Sequence, residues 1–142
     1  MDKKTGLVTI ALGLAAGCGV EHGVDMDGTA MFCVRQASEY PGTTELGIAV
    51  DANLHMIDKS ACWIRKIGVR AYGDSVTEYG AMEFSRDDWI RRQQYRLLAP
   101  NNLAVGQVDN MVVYAVNCDG DEAEFGLEQK DCETLDDFLL SQ

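Results

Sequence analysis

The sequence predicts an α+β fold: a mainly antiparallel sheet with one or two short helices, stapled by disulfides. Three observations predict it. Short runs rich in β-branched and aromatic residues alternate with Gly, Pro, Asn and Asp turn signals over most of the chain. Helix-start signals occur in two places only, after Ser85 and near the C-terminus. Four of the five cysteines, Cys33, Cys62, Cys118 and Cys132, are distributed through the same region. With 142 residues and 46% hydrophobic content, the chain supports one domain of ordinary size. We assign residues 30–142 to it.

Taken in order, AMFCVRQ (30–36) is predicted as a strand, Tyr40-Pro41-Gly42-Thr43 as a turn, and ELGIAVDA (45–52) as a second strand, together a hairpin. From Cys62 to Tyr72, Trp63, Ile67, Val69 and Ala71 share a face at period two, with Arg65 interrupting and Lys66 and Arg70 opposite. Gly73-Asp74 suits a tight turn into a further strand, Ser75 to Phe84. Ser85 can cap a helix whose first turn holds Asp87 and Asp88, with Pro100 as its terminator. Trp89, Ile90, Leu97 and Leu98 would then face the core, and Arg91, Arg92 and Arg96 solvent. MVVYAVNC (111–118) is nearly all apolar and predicts a central strand. Last, ETLDDFLL predicts a short helix capped by Thr134, with Leu135, Phe138 and Leu139 inward.

The N-terminus reads differently. Lys3 and Lys4 precede a run without charge until Glu21, the order of a secretory signal, and the run is short for a bilayer span. It ends Leu14-Ala15-Ala16-Gly17-Cys18, which resembles the lipobox of bacterial lipoproteins. The resemblance covers residues 1–19. It implies a signal peptide over 1–17, acylation of Cys18, and a cell-envelope location with the domain facing the periplasm. Residues 18–29, rich in glycine and short polar side chains, would form a tether. Once Cys18 carries lipid, four cysteines remain, enough for two disulfides in an exported chain. Three connectivities are open, and the expected one joins Cys33 to Cys62 and Cys118 to Cys132.

Charge bounds the partners. Twelve Lys and Arg against 23 Asp and Glu leave −11, which disfavours nucleic acid. The excess sits at the C-terminal end, where nine acids from Asp119 to Asp137 face only Lys130. Asp119, Asp121, Glu122, Glu124 and Glu128, flanking Phe125 and Leu127, form the candidate partner-binding segment, with the two apolar residues as anchors. The bland account is docking of this segment on the arginine-bearing stretch Arg86 to Arg96. Calcium ligation by Asp119, Asp121 and Glu124 fails an EF-hand count, because position six is Glu124 and position twelve Lys130.

Catalysis finds little support. His22 and His55 lie in no motif, no G-x-S-x-G elbow exists, and the adjacent pairs Asp87-Asp88 and Asp136-Asp137 suit helix ends. No catalytic residue, metal site or cofactor is expected. The leading expectation is a small envelope-anchored binding module, with an immunity or inhibitor protein that meets a basic protein as its model case. Two alternatives keep the N-terminus uncleaved: a phage virion or assembly component, and a cytosolic acidic inhibitor.

Overall fold

A computed structural model describes residues 24–36, 41–56 and 62–142 of the chain. The expected signal peptide, Cys18 and His22 lie outside the described residues. Among the described residues eight strands and two helices follow in order: β1 (Val24–Gln36), β2 (Thr43–Met56), β3 (Ile64–Gly73), β4 (Val76–Glu83), α1 (Arg86–Arg92), β5 (Gln94–Val105), β6 (Val108–Asn117), β7 (Glu122–Gly126), β8 (Glu128–Gln129) and α2 (Cys132–Leu140). Sheet I has the order β5-β2-β1-β8 and sheet II the order β4-β3-β6-β7. All pairings are antiparallel except the short parallel contact of β8 with β1.

The two sheets share one core. Phe32, Leu46, Ile48, Val50 and Leu54 from sheet I meet Ile64, Ile67, Val69, Met111, Val113 and Ala115 from sheet II. A third layer covers the other face of sheet I, where Leu135 of α2 packs with Cys33 and Ala49, flanked by Leu98 and Phe138. The expected hairpin is therefore β1–β2, and the apolar run 111–118 is β6, hydrogen-bonded on both sides. The sandwich is cross-tied along one side, where the Tyr79 hydroxyl donates to Leu103 O (3.1 Å) and that of Tyr95 to Gly80 O (2.9 Å). These bonds satisfy carbonyls on the facing edges β4 and β5.

Several expectations are corrected. The tether does not extend to residue 29, because Val24–Thr29 continue β1 in register with Asp51–Met56. The helix after Ser85 does not run toward Pro100. It ends at Arg92, Gln93 takes a left-handed conformation (φ 46°), and β5 begins at once. Tyr95, Leu97 and Ala99 alternate into the core while Leu98 joins the opposite cluster, a period-two pattern that its leucines disguise as helical. Pro100 lies inside edge strand β5, where Ile48 pairs with Ala99 and Leu46 with Asn102, so it falls in a bulge that needs no N–H. On β3 a second irregularity falls at Arg65, between the pairs Ile64–Asn117 and Lys66–Val116. It shifts the parity of the strand, burying Ile64 and exposing Arg65. At α2 the cap is Asp131, whose carboxylate accepts from Thr134 N at 2.8 Å; Thr134 itself is inside the helix.

Candidate functional site

Two disulfides are present, in the connectivity opposite to that expected. Cys33 joins Cys132 and Cys62 joins Cys118, with Cα atoms 5.1 and 5.6 Å apart. Neighbours in sequence do not pair, because β1 and α2 are stacked on each other while Ile64, two residues after Cys62, pairs with Asn117 beside Cys118. The acidic segment is thus not a closed loop. It leaves sheet II at Cys118, tied to the start of β3, and reaches Cys132, tied to β1 in sheet I.

Within the segment, the Asn117 side chain accepts from the backbone N–H groups of Asp119 (3.0 Å) and Asp121 (2.9 Å), which fixes the turn. β7 then runs along the edge of sheet II, and its alternation sends Glu122 and Glu124 outward and Ala123 inward. Phe125 is half-buried against the core and Leu127 is buried, so neither is the surface anchor expected of it. Glu128 pairs with Lys130 at 3.4 Å. Asp119 and Asp121 make no ion pair among the described residues.

The outer face of sheet II carries the densest polar arrangement. Arg70 Nη1 donates to Glu122 (3.2 Å), Glu124 (3.4 Å) and the Tyr72 hydroxyl (3.3 Å), and its guanidinium stacks 4.0 Å from the centre of the Tyr114 ring. The Tyr72 hydroxyl donates to Glu124 and that of Tyr114 to Glu78, each at 2.5 Å. Gly68 makes this stacking feasible: a Cβ there would sit 2.9 Å from the Tyr114 oxygen. Burial works against the Arg70 charge, but the hydrogen bonds with Tyr72 and Glu122 outweigh it and raise its pKa further. The Tyr114 phenol is pushed up to about 12 by burial and by its bond to Glu78. Glu78 is held below the usual carboxylate range, chiefly by that same bond.

Among the described residues the cation that docks on β7 of the acidic segment is Arg70, and Arg96, from the stretch Arg86 to Arg96, is engaged elsewhere. Arg96 lies 3.8 Å from Asp51 and bonds Gln142 at 2.8 Å instead, and Asp136 takes Arg35 at 2.8 Å. Sequence reasoning missed Arg70, Tyr72, Glu78 and Tyr114 as a unit. The readable signal was a glycine within a strand whose polar face reads Lys66, Arg70, Tyr72, since such a glycine marks a close approach.

His55 pairs with Asp27 at 2.8 Å, and Asp27 also accepts from Asn53 at 3.3 Å, on an exposed part of sheet I. No serine or cysteine bonds to this pair among the described residues. Cys62, Cys118 and Asp119 bring three potential ligand atoms within 4.8 Å of one another, but both sulfurs are committed to the disulfide. No described helix is long and apolar enough to cross a membrane. Two disulfides are the mark of a domain matured in an oxidising, extracytoplasmic compartment. No protein-family model, curated protein or solved structure matches this chain.

Proposed function

We propose that the chain is a non-catalytic binding module of the bacterial envelope, held by an acylated Cys18, whose acidic segment attracts a basic protein partner. An immunity or inhibitor protein is the class this describes. One observation carries the reading. Between the half-cystines Cys118 and Cys132 lie six carboxylates and one lysine, and the two ends are fixed to different sheets. A charged surface held in place loses little freedom on association. Arg70 offsets part of Glu122 and Glu124 and Lys130 part of Glu128, so Asp119 and Asp121 supply most of the outward field. Charges so placed act chiefly on the rate and selectivity of encounter.

The early start of β1 supports a close tether. Only residues 19–23 separate Cys18 from Val24, a reach of about 20 Å when extended. The test is affinity capture from the native envelope by the full chain and by a D119N/D121N/E128Q variant, with association followed against salt. A basic partner should associate at least several-fold more slowly with the variant, with a flatter salt dependence. Equal capture and equal rates reject the segment. Cys18→Ser should release the chain from membranes, and membrane-free native protein that retains Met1 rejects the anchor.

A further inference from the structure

A strand edge with unsatisfied backbone groups is a template for a further strand, and proteins blunt most such edges. Sheet I is blunted on both sides. β5 is interrupted by the bulge at Pro100, and its Leu103 O accepts from Tyr79. β1 holds Gly28 at φ +115°, its Met26 N–H donates to the Asp25 carboxylate at 2.9 Å, and β8 covers Met31 and Phe32. In sheet II, β4 shifts register opposite Gly68, and its Gly80 O accepts from Tyr95. Among the described edges only β7 pairs without a shift and has no backbone partner on its outer side.

Which groups β7 offers follows from its ladder with β6. Asn117 N donates to Asp121 O and Leu127 N to Met111 O, each at 2.9 Å. The hydrogen-bonded pairs of this antiparallel ladder therefore fall on odd-numbered residues, and Glu122, Glu124 and Gly126 turn N–H and C=O to the free edge. The side chains of the two glutamates lie on the outer face of sheet II, where Arg70 bonds Glu122 Oε1 and Glu124 Oε2. Tyr72 bonds that same oxygen of Glu124. The second oxygen of each carboxylate accepts no hydrogen bond among the described residues, so Arg70 holds both groups beside the edge without saturating them.

This combination selects the occupant. A second copy pairing through its own β7 would set like charges against one another, on a chain whose net charge is −11. A strand with Lys or Arg at alternate positions would instead place them beside Glu122 and Glu124. Its intervening side chains would lie beside Ala123 and the half-buried Phe125, on the core side, where small or apolar residues fit.

We propose that β7 takes up an extended segment of a basic protein as an added strand of sheet II, with Lys or Arg at alternate positions of that segment. The inference rests on the basic-partner reading and gives its mode: main-chain hydrogen bonds to Glu122, Glu124 and Gly126 hold the segment, and the two carboxylates select it.

The test adds two peptides of equal charge to the full chain at physiological salt: acetyl-Lys-Val-Arg-Thr-Lys-Val-Arg-amide, and the same residues in the order Lys-Lys-Arg-Arg-Val-Thr-Val. Residue-resolved amide exchange should show Glu122, Glu124 and Gly126 slowed about tenfold or more by the alternating peptide and not by its isomer. Gly126→Pro removes one outward N–H and leaves every charge in place, so it should weaken the alternating peptide about fivefold or more. Gly126→Ala, whose Cβ meets nothing within 4 Å, should bind it as the parent does. Thermal unfolding shows whether both variants fold; if the proline variant does not, the exchange readout on the parent chain decides. Equal protection by both peptides, protection of none of the three amides, or unchanged binding by folded Gly126→Pro overturns the proposal. Protection already present in the chain alone also overturns it, and identifies a second copy as the occupant if it rises with concentration. If both peptides bind alike and D119N/D121N/E128Q weakens both, strand addition is overturned and the basic-partner reading stands. If neither binds, strand addition is overturned and the capture experiment decides the basic-partner reading separately.

Discussion

Gly106 shows how one residue can be dictated by its neighbour. Its φ is +76°, and a Cβ would lie 2.1 Å from the Asp74 carboxylate, the group that receives Gln107 N. Gly106→Ala should cost about 1–3 kcal/mol in urea unfolding. Adding Asp74→Ala should recover part of the loss by removing the clash but not the backbone strain. Arg70 is a second such residue, since its side chain is 17% exposed and answers two carboxylates and an aromatic face. Arg70→Met should destabilise by about 1–3 kcal/mol, and Arg70→Lys should not restore what is lost, because an ammonium cannot stack as a planar guanidinium does. The Tyr114–Glu78 bond gives stability a pH dependence at both extremes. Tyr114 has its folded value raised from 10.0 to about 12, so its contribution is complete below pH 10 and disappears as pH rises through about 12. Glu78 is depressed, so its contribution is complete above the usual carboxylate range and disappears as pH falls through the lowered value. Tyr114→Phe should flatten both limbs in a pH series of thermal unfolding; unchanged limbs would refute the assignment.

At the scale of elements, α1 matters more than its seven residues suggest. The segment around it bridges both sheets, because Phe84 N donates to Arg65 O at 2.8 Å and Leu54 N to Gln93 O at 3.0 Å. Between them Trp89 is buried, with its ring 5.9 Å from that of Phe84. The Ser85 hydroxyl accepts from Asp88 N at 3.2 Å and starts the helix. Ser85→Ala should lower stability by about 1 kcal/mol while Ser85→Asp holds it. Hydrogen exchange should then report faster opening of residues 86–92 in the alanine variant. At α2, Asp131 is held below the usual carboxylate range by the backbone and hydroxyl bonds from Thr134. That cap weakens as pH falls through the lowered value.

For the whole molecule the disulfides tie together elements that lie far apart in sequence. They are nested, Cys62–Cys118 within Cys33–Cys132, with separations of 56 and 99 residues. Peptide mapping without reduction should find these two links and neither Cys33–Cys62 nor Cys118–Cys132. Removing either link as a serine pair should cost about 2–4 kcal/mol, because both restrict long stretches of the unfolded chain. Outright unfolding in C33S/C132S would show that α2 is held to sheet I by the link alone, not by Leu135 and Phe138.

Local patterns made much of this legible before any fold was known. The alternation in 30–36 and 45–52, the continuous apolar run at 111–118, the Ser85 cap and the apolar stripe of the last helix each depend on residues a few positions apart. So did the fold class, which follows from summing such elements. What lay beyond reach depended on residues distant in sequence. Pro100 stops a helix unless a partner strand leaves it a bulge, and Arg65 disrupts a face unless the neighbouring strand absorbs the extra residue. The four cysteines offer the same chemistry in every pairing, and only the stacking of α2 on β1 and of the β3 start beside the end of β6 selects one. Phe125 and Leu127 read as anchors within a charged run until β7 takes its place at the edge of sheet II, where strand parity turns Phe125 inward and Leu127 crosses between the sheets. Arg70 meets Glu122 and Glu124 across 52 and 54 residues, a distance over which a sequence specifies charge but not company, because register and sheet order are fixed by burial of the whole core.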